Sequence, residues 1–219
     1  MAFITVNRES VAKEGTSSFA TTSGIYDVNL KACEIATTKG GATQANYFTD
    51  KFMSYGNTVI NKQGKPIFGM DILEALAAVL GEDGLSDPEP TEVKFKNSSK
   101  ELMCLPELTD VDVKVWVQFS YSKWDGEIQE KLAIKRFYRA SDNASGSEIV
   151  NSDNGEKVVF GTQLAKDEAY ASEVKYEDGI TEEDVKAWKK AKSDEAKGNK
   201  PQASAAASAG AKTTFPKRA

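Results

Sequence analysis

DVDVKVWVQFSYSKWDGEIQEKLAIKRFYRA, residues 110–140, is the stretch on which the fold turns. Val111, Val113, Val115, Val117, Phe119 and Tyr121 alternate with polar residues, the period of a half-buried strand. Asp125-Gly126 turns the chain, and Leu132 to Arg139 returns as an antiparallel strand. A closing β-hairpin is therefore expected here.

Upstream, GIYDVNLKACEIA (24–36) alternates in the same way, with Tyr26, Val28, Leu30 and Ala32 on one side. The turn TTKGG (37–41) leads into a second, aromatic strand from about Gln44 to Tyr55. In GMDILEALAAVLG (69–81) the period changes: Ile72, Leu73, Leu76, Val79 and Leu80 form one helical face, Asp71 is the expected N-cap and Gly81 the stop. VKFKNSSKELMCL (93–105) reads as a small hairpin turning at Asn97 to Ser99. This order suits a mainly β fold, a five-stranded Greek-key barrel of OB-fold type with one inserted helix. An open β-sandwich with one helix is the alternative.

The expected division is an N-terminal arm (1–20), the barrel (21–140), an acidic loop region with a short helix (141–193) and a disordered tail rich in Ala, Ser and Lys (194–219). The helix is signalled by Thr181 and Asp184 at capping-box spacing, with acids in its first turn and lysines in its last.

The composition narrows the chemistry. Histidine is absent, which removes the commonest general base and metal ligand. Cys33 and Cys104 read as buried thiols. Phosphate loops, nucleophile elbows, HExxH pairs and calcium loops do not occur, so the expectation is a protein that is not an enzyme and needs no cofactor or metal. No apolar run is long enough for a membrane span, and a cytoplasmic location is expected. The net charge of −5 is segregated: residues 141–184 carry −9, residues 185–219 carry +7 and the first 140 carry −3. Blocks of that size suggest surface segments used for electrostatic contact or solvation.

Binding is the function class left. Trp116 alternates onto the polar side of its strand with Lys114, where an indole is costly unless something covers it. On the return strand Lys131, Lys135, Phe137 and Arg139 fall in one row, and on the second strand Tyr47, Lys51 and Tyr55 share a side. Lys123 and Trp124 lie at the hairpin turn, where barrels of this type grip ligands. Rings stacking on bases beside cations tracking phosphates is the pattern of single-stranded nucleic-acid binding.

GIYDVNL, TTKGGATQANYFTDKFMS, GMDILEALAAVLG and AIKRFYRA, taken together over residues 20–140, resemble the bacteriophage single-stranded DNA-binding proteins of OB-fold type in order and texture. The resemblance implies a protein that coats single-stranded DNA during replication or recombination in an infected cell, with Lys51, Trp116, Lys135 and Phe137 as carried-over binding positions. It also implies other replication or recombination proteins as partners. Many such proteins end in an acidic tail with a terminal aromatic; this chain ends TTFPKRA and holds its acids between Asp167 and Asp184. Two other readings compete: a protein-interaction module that docks a host or phage protein through exposed aromatics, and a virion component. Oligomeric state is open, a dimer being one option.

Overall fold

A computed structural model describes residues 19–95 and 98–198. These residues form two compact units, divided between Ile180 and Thr181.

The first unit is mainly β. Eight strands share one sheet: β1 (Gly24–Thr37), β2 (Thr43–Thr49), β3 (Met53–Ile60), β4 (Glu89–Phe95), β5 (Ser98–Cys104), β6 (Val111–Trp124), β7 (Glu127–Arg139) and the short β8 (Lys175–Tyr176). All pairings are antiparallel except β8 with β6. Helix α1 (Phe68–Leu80) lies between β3 and β4 in the chain, and α2 (Gly146–Asp153) and α3 (Thr162–Glu168) follow β7.

Long β1 organises the sheet because it changes partners at Leu30. Its first half, Gly24 to Leu30, pairs with β6, and its second half, Leu30 to Thr37, pairs with β2. A bulge at Lys31 accompanies the change, and bulges sharpen strand twist. The main path therefore runs β3-β2-β1-β6-β7, with the β4–β5 hairpin branching from β1 at Glu34. No ladder joins β3 to β7, although their Cα atoms approach within 8 Å. That separation is less than two strand spacings of about 4.8 Å, and residues of both strands line the clefts along the seam. The closed five-stranded barrel expected from the sequence is thus an open sheet of eight strands.

The core lies inside this curl. Leu30, Cys33, Tyr47, Val59, Val113, Val115, Val117, Ile134 and Phe137 meet Leu73, Leu76 and Val79 from α1. The helix ends at Gly81 as expected, in a left-handed conformation (φ 80°) with its N–H directed to Ala77 and Ala78 carbonyls. Its start differs from expectation. Ile67, not Asp71, is the N-cap, without a side-chain cap, and its N–H is bonded to the Val59 carbonyl of β3. A second cluster, Ala32, Phe48, Val93 and Cys104, joins the hairpin to the outer face of β1 and β2. β4 is the free rim of that hairpin; it carries Pro90, with no N–H to offer, among Glu89, Glu92 and Lys94.

The aromatic strand expected from Gln44 to Tyr55 is two strands. Thr49 closes a tight turn, its N–H and hydroxyl both donating to the Phe52 carbonyl and its Oγ1 accepting from the Lys51 and Phe52 amides. The β4–β5 pairing matches Phe95 with Ser98; of the turn expected at Asn97 to Ser99, Ser98 and Ser99 belong to β5 and Asn97 lies outside the described residues.

Residues 141–180, expected as loop, belong to the first unit. Ser145 and Glu148 form a full capping box at the start of α2. Gly146 lets α2 approach α1, since a Cβ there would stand 2.8 Å from the Ala75 carbonyl oxygen. β8 continues along the edge of β6 where β1 leaves it, pairing Ser120 with Lys175.

The second unit contains α4 (Glu182–Gly198). Its capping box is the expected one: Asp184 Oδ2 accepts from the Thr181 amide at 2.9 Å, and Thr181 Oγ1 accepts from the Asp184 amide at 3.2 Å. Residues 194–198, expected in the tail, are helical, and the rest of the expected tail and most of the N-terminal arm lie outside the described residues. No helix among the described residues is long and apolar enough to cross a membrane.

Candidate nucleic-acid interface

The row read from β7 is broken by one residue. Val117 pairs with Ile134 and Trp116 with Arg136, so Lys135 is an extra residue with no partner, and the side-chain parity inverts beyond it. Phe137 therefore faces the core opposite Val115 and is fully buried. It stacks at a tilt on Tyr47, ring centroids 5.6 Å apart. Tyr47 is buried too, because the chain reverses at Thr49 to Phe52 and separates its side from that of Tyr55; burial holds its phenol well above the usual range. Both residues are core, and the expectation that they stack on bases is corrected.

The outer face of β6 and β7 is covered by the following segment. Asp167 of α3 accepts from Arg136 Nη1, from the Tyr138 hydroxyl at 2.7 Å and from Gln163 Nε2 at 3.0 Å. Burial, and then the carboxylate of Asp167, raise the Tyr138 phenol far above its ordinary value. Gln118 Nε2 donates to the Glu173 carbonyl, while in the core-side row of β6 Tyr121 stacks on Tyr176. Trp116 sits half-buried between Ile25 and Arg136, its indole N–H enclosed without an acceptor among the described residues. Lys114 is held by Asp27 at 3.3 Å. Trp116 lines none of the clefts described below.

Arg139 is occupied as well. Asp142 takes both its Nε and Nη2, at 2.9 and 2.7 Å, and its guanidinium stands over the Phe160 ring. The hydrogen bonds between them raise the guanidinium and lower the carboxyl of Asp142. Lys135 is half-buried in a small cleft between α1 and the start of α2. Lys123 and Trp124 stand at the hairpin tip, where Trp124 is 76% exposed, and the Lys123 amide donates to Asp178.

Of the expected residues, the structure brings Tyr55 and Lys131 together. They line a cleft of about 380 Å³ along the seam between β3 and β7, with Met53, Phe119 and Phe19. Tyr55 is 58% exposed; it meets Phe48 edge-on at 5.5 Å and its hydroxyl lies 3.4 Å from Met53 Sδ. Phe19, 55% exposed, precedes a residue pinned to the β2–β3 turn by the Ala20 amide bonded to the Lys51 carbonyl. Phe19 and Met53 also line a second cleft of about 790 Å³ toward β4, whose lining includes Lys31 and Lys94. Lys131 makes no ion pair among the described residues, and Lys31 pairs with Asp110 at 2.9 Å.

The sequence reading missed Phe19, Met53, Lys31 and Lys94. A lone Phe in a polar N-terminal stretch carries no periodic signal, and Lys31 occupies the bulge of a strand whose alternation otherwise reads cleanly. No group of three or more acidic or thiol side chains able to hold a metal occurs among the described residues.

No family model matches the chain, and no curated protein matches it.

Proposed function

We propose that this chain binds single-stranded DNA along the groove between β3, β7 and β4, with Tyr55 and Phe19 as stacking surfaces and Lys131, Lys31 and Lys94 beside the strand. The observation that carries the reading is the exposed Tyr55 ring lining one cleft with Met53, Phe19 and Lys131. Rings in a groove with cations are what sequence-tolerant binding of unpaired bases requires. The strand path β3-β2-β1-β6-β7, with a helix after β3, supports the finer fold reading as well, since it is the order of a partly open OB-type barrel. In that reading the protein coats single-stranded DNA during bacteriophage replication or recombination, is not an enzyme and works in the cytoplasm of the infected cell.

Fluorescence anisotropy with labelled oligo-dT tests it. Tyr55→Ala should weaken binding by about 1–3 kcal/mol, and duplex of the same length should compete poorly. Unchanged affinity in Tyr55→Ala and in Phe19→Ala would remove the groove from the account. Trp124 favours a second reading, a docking surface for a protein at the hairpin tip, because its indole is 76% exposed away from the groove. In that case Trp124→Ala abolishes partner capture and leaves oligonucleotide behaviour untouched.

A further inference from the structure

Two further clefts follow the one at Tyr55 along β7. Lys131 and Leu132, which line the Tyr55 cleft, also line a cleft of about 240 Å³ with Thr58 of β3 and with Ile67, Phe68 and Ile72 at the start of α1. Phe68 and Ile72 in turn line a cleft of about 210 Å³ that holds Lys135. The β7 lining thus moves in chain order, through residues 130–132, 131–134 and 135–136.

Phe68 is 64% exposed, more open than Tyr55, and Ile67 beside it is exposed as well. Contiguous open apolar surface in a concave site is what binding sites present. The mounting of this ring is firm. The Ile67 amide is bonded to the Val59 carbonyl at 3.0 Å, and Gly69 lies against the backbone of Thr58, so the first turn of α1 is seated on β3. A ring already held in place loses little freedom when it binds.

The charge around Phe68 names the occupant. Lys131 is exposed and Lys135 half-buried, and neither makes an ion pair among the described residues. Against them stands Asp71, while Arg136 is already given to Asp167. Exposed rings and unpaired cations therefore succeed one another along the seam as Tyr55, Lys131, Phe68 and Lys135. An apolar peptide has no use for those lysines, whereas an unpaired strand offers bases to the rings and phosphates to the cations.

We propose that Phe68 is a second stacking position for the strand held at Tyr55, and that Lys135, the extra residue of the β7 bulge, takes a phosphate beyond it. This rests on the proposed single-stranded DNA binding at Tyr55. It carries the strand along the β3–β7 seam to the start of α1, a path that needs neither Trp116 nor Phe137.

Fluorescence anisotropy of the full chain with labelled oligo-dT tests the path. Phe68→Leu keeps the apolar bulk and removes the ring; it should weaken binding about fivefold or more, the value of one stacked base, and the loss should add to that of Tyr55→Ala. Phe68→Trp should restore or tighten binding. Lys135→Gln should make the fall of log K with log salt shallower by about 0.7, one phosphate's share on a single strand. Wild-type affinity in Phe68→Leu, or failure of Phe68→Trp to recover what Phe68→Leu loses, would overturn the second stacking position. An unchanged salt slope in Lys135→Gln would overturn the phosphate contact. If Tyr55→Ala still weakens binding in those cases, the site at Tyr55 stands and only its extension falls; a wild type that binds no oligo-dT would overturn the site itself.

Discussion

Gly69, the second residue of α1, packs directly on β3, and replacing it tests the account of how the seam is held. A Cβ at this position would stand 2.1 Å from the Thr58 carbonyl oxygen and 2.8 Å from its carbon, both backbone atoms of β3. Ordinary contact begins at 3.4 Å, so helix and strand must part by about 3.4 − 2.1 = 1.3 Å. Helix propensity alone argues the other way, because alanine is favoured over glycine by about 1 kcal/mol in a helix. Overpacking costs about 1–3 kcal/mol, and a backbone clash belongs at the upper end. The net expectation for Gly69→Ala is a loss of about 2 kcal/mol, or roughly 4–8 °C in melting temperature for a domain of this size. Circular dichroism through thermal and urea unfolding measures it, with Gly84→Ala as control. At Gly84 an added Cβ meets nothing within 4 Å, so alanine should be neutral or stabilise by about 0.4–1 kcal/mol. If Gly69→Ala proved as stable as Gly84→Ala, the close seating of α1 on β3 would be refuted.

Phe137→Ala should destabilise by about 3–5 kcal/mol as a core deletion, read by urea unfolding, and any lost DNA affinity should return under conditions where the variant is folded. Trp116→Phe removes an enclosed N–H that has no acceptor among the described residues; it should leave both oligo-dT affinity and stability within about 1 kcal/mol of wild type. Glu148 accepts from the Ser145 and Gln163 amides, each at 2.8 Å; burial alone would raise its carboxyl, but these donors bring it below the ordinary range. Its folded form therefore ionises more readily than its unfolded form. The resulting stability is complete above the ordinary carboxylate range and is lost as pH falls through and below about 4. Glu148→Gln should cost about 2 kcal/mol at neutral pH, and the gap to wild type should close in acid, as followed by melting temperature against pH.

How far the sequence could be read depended on whether a single residue could spoil the count. The alternation from Val111 to Tyr121 is uninterrupted on the core side, and Asp125 and Gly126 both take the positive φ that their hairpin turn demands, 51° and 81°. Those features were legible, as were α1 with its Gly81 stop and the Thr181–Asp184 cap. Phe137 was misplaced because the extra residue Lys135 inverts parity, and nothing in AIKRFYRA marks a bulge. Tyr47 was misplaced because Thr49-Asp50-Lys51-Phe52 makes its turn through a threonine hydroxyl, without glycine or proline. The α2 cap was in plain view as Ser145 and Glu148, three residues apart, and reading that spacing would have recovered the helix. The groove was legible only through Tyr55 and Lys131, since its other residues converge from the arm, the β1 bulge and the hairpin rim.

The rim strand β4 matters beyond its own hairpin. Under the proposed function, neighbours crowded along one nucleic-acid strand would meet at a local concentration far above that of the solution, where any bare row of amides invites strand-to-strand fusion. Pro90 interrupts that row, and Glu89, Glu92 and Lys94 surround the interruption with hydrated charge. On that proposal, adjacent molecules would crowd together and still come apart singly when the strand is needed.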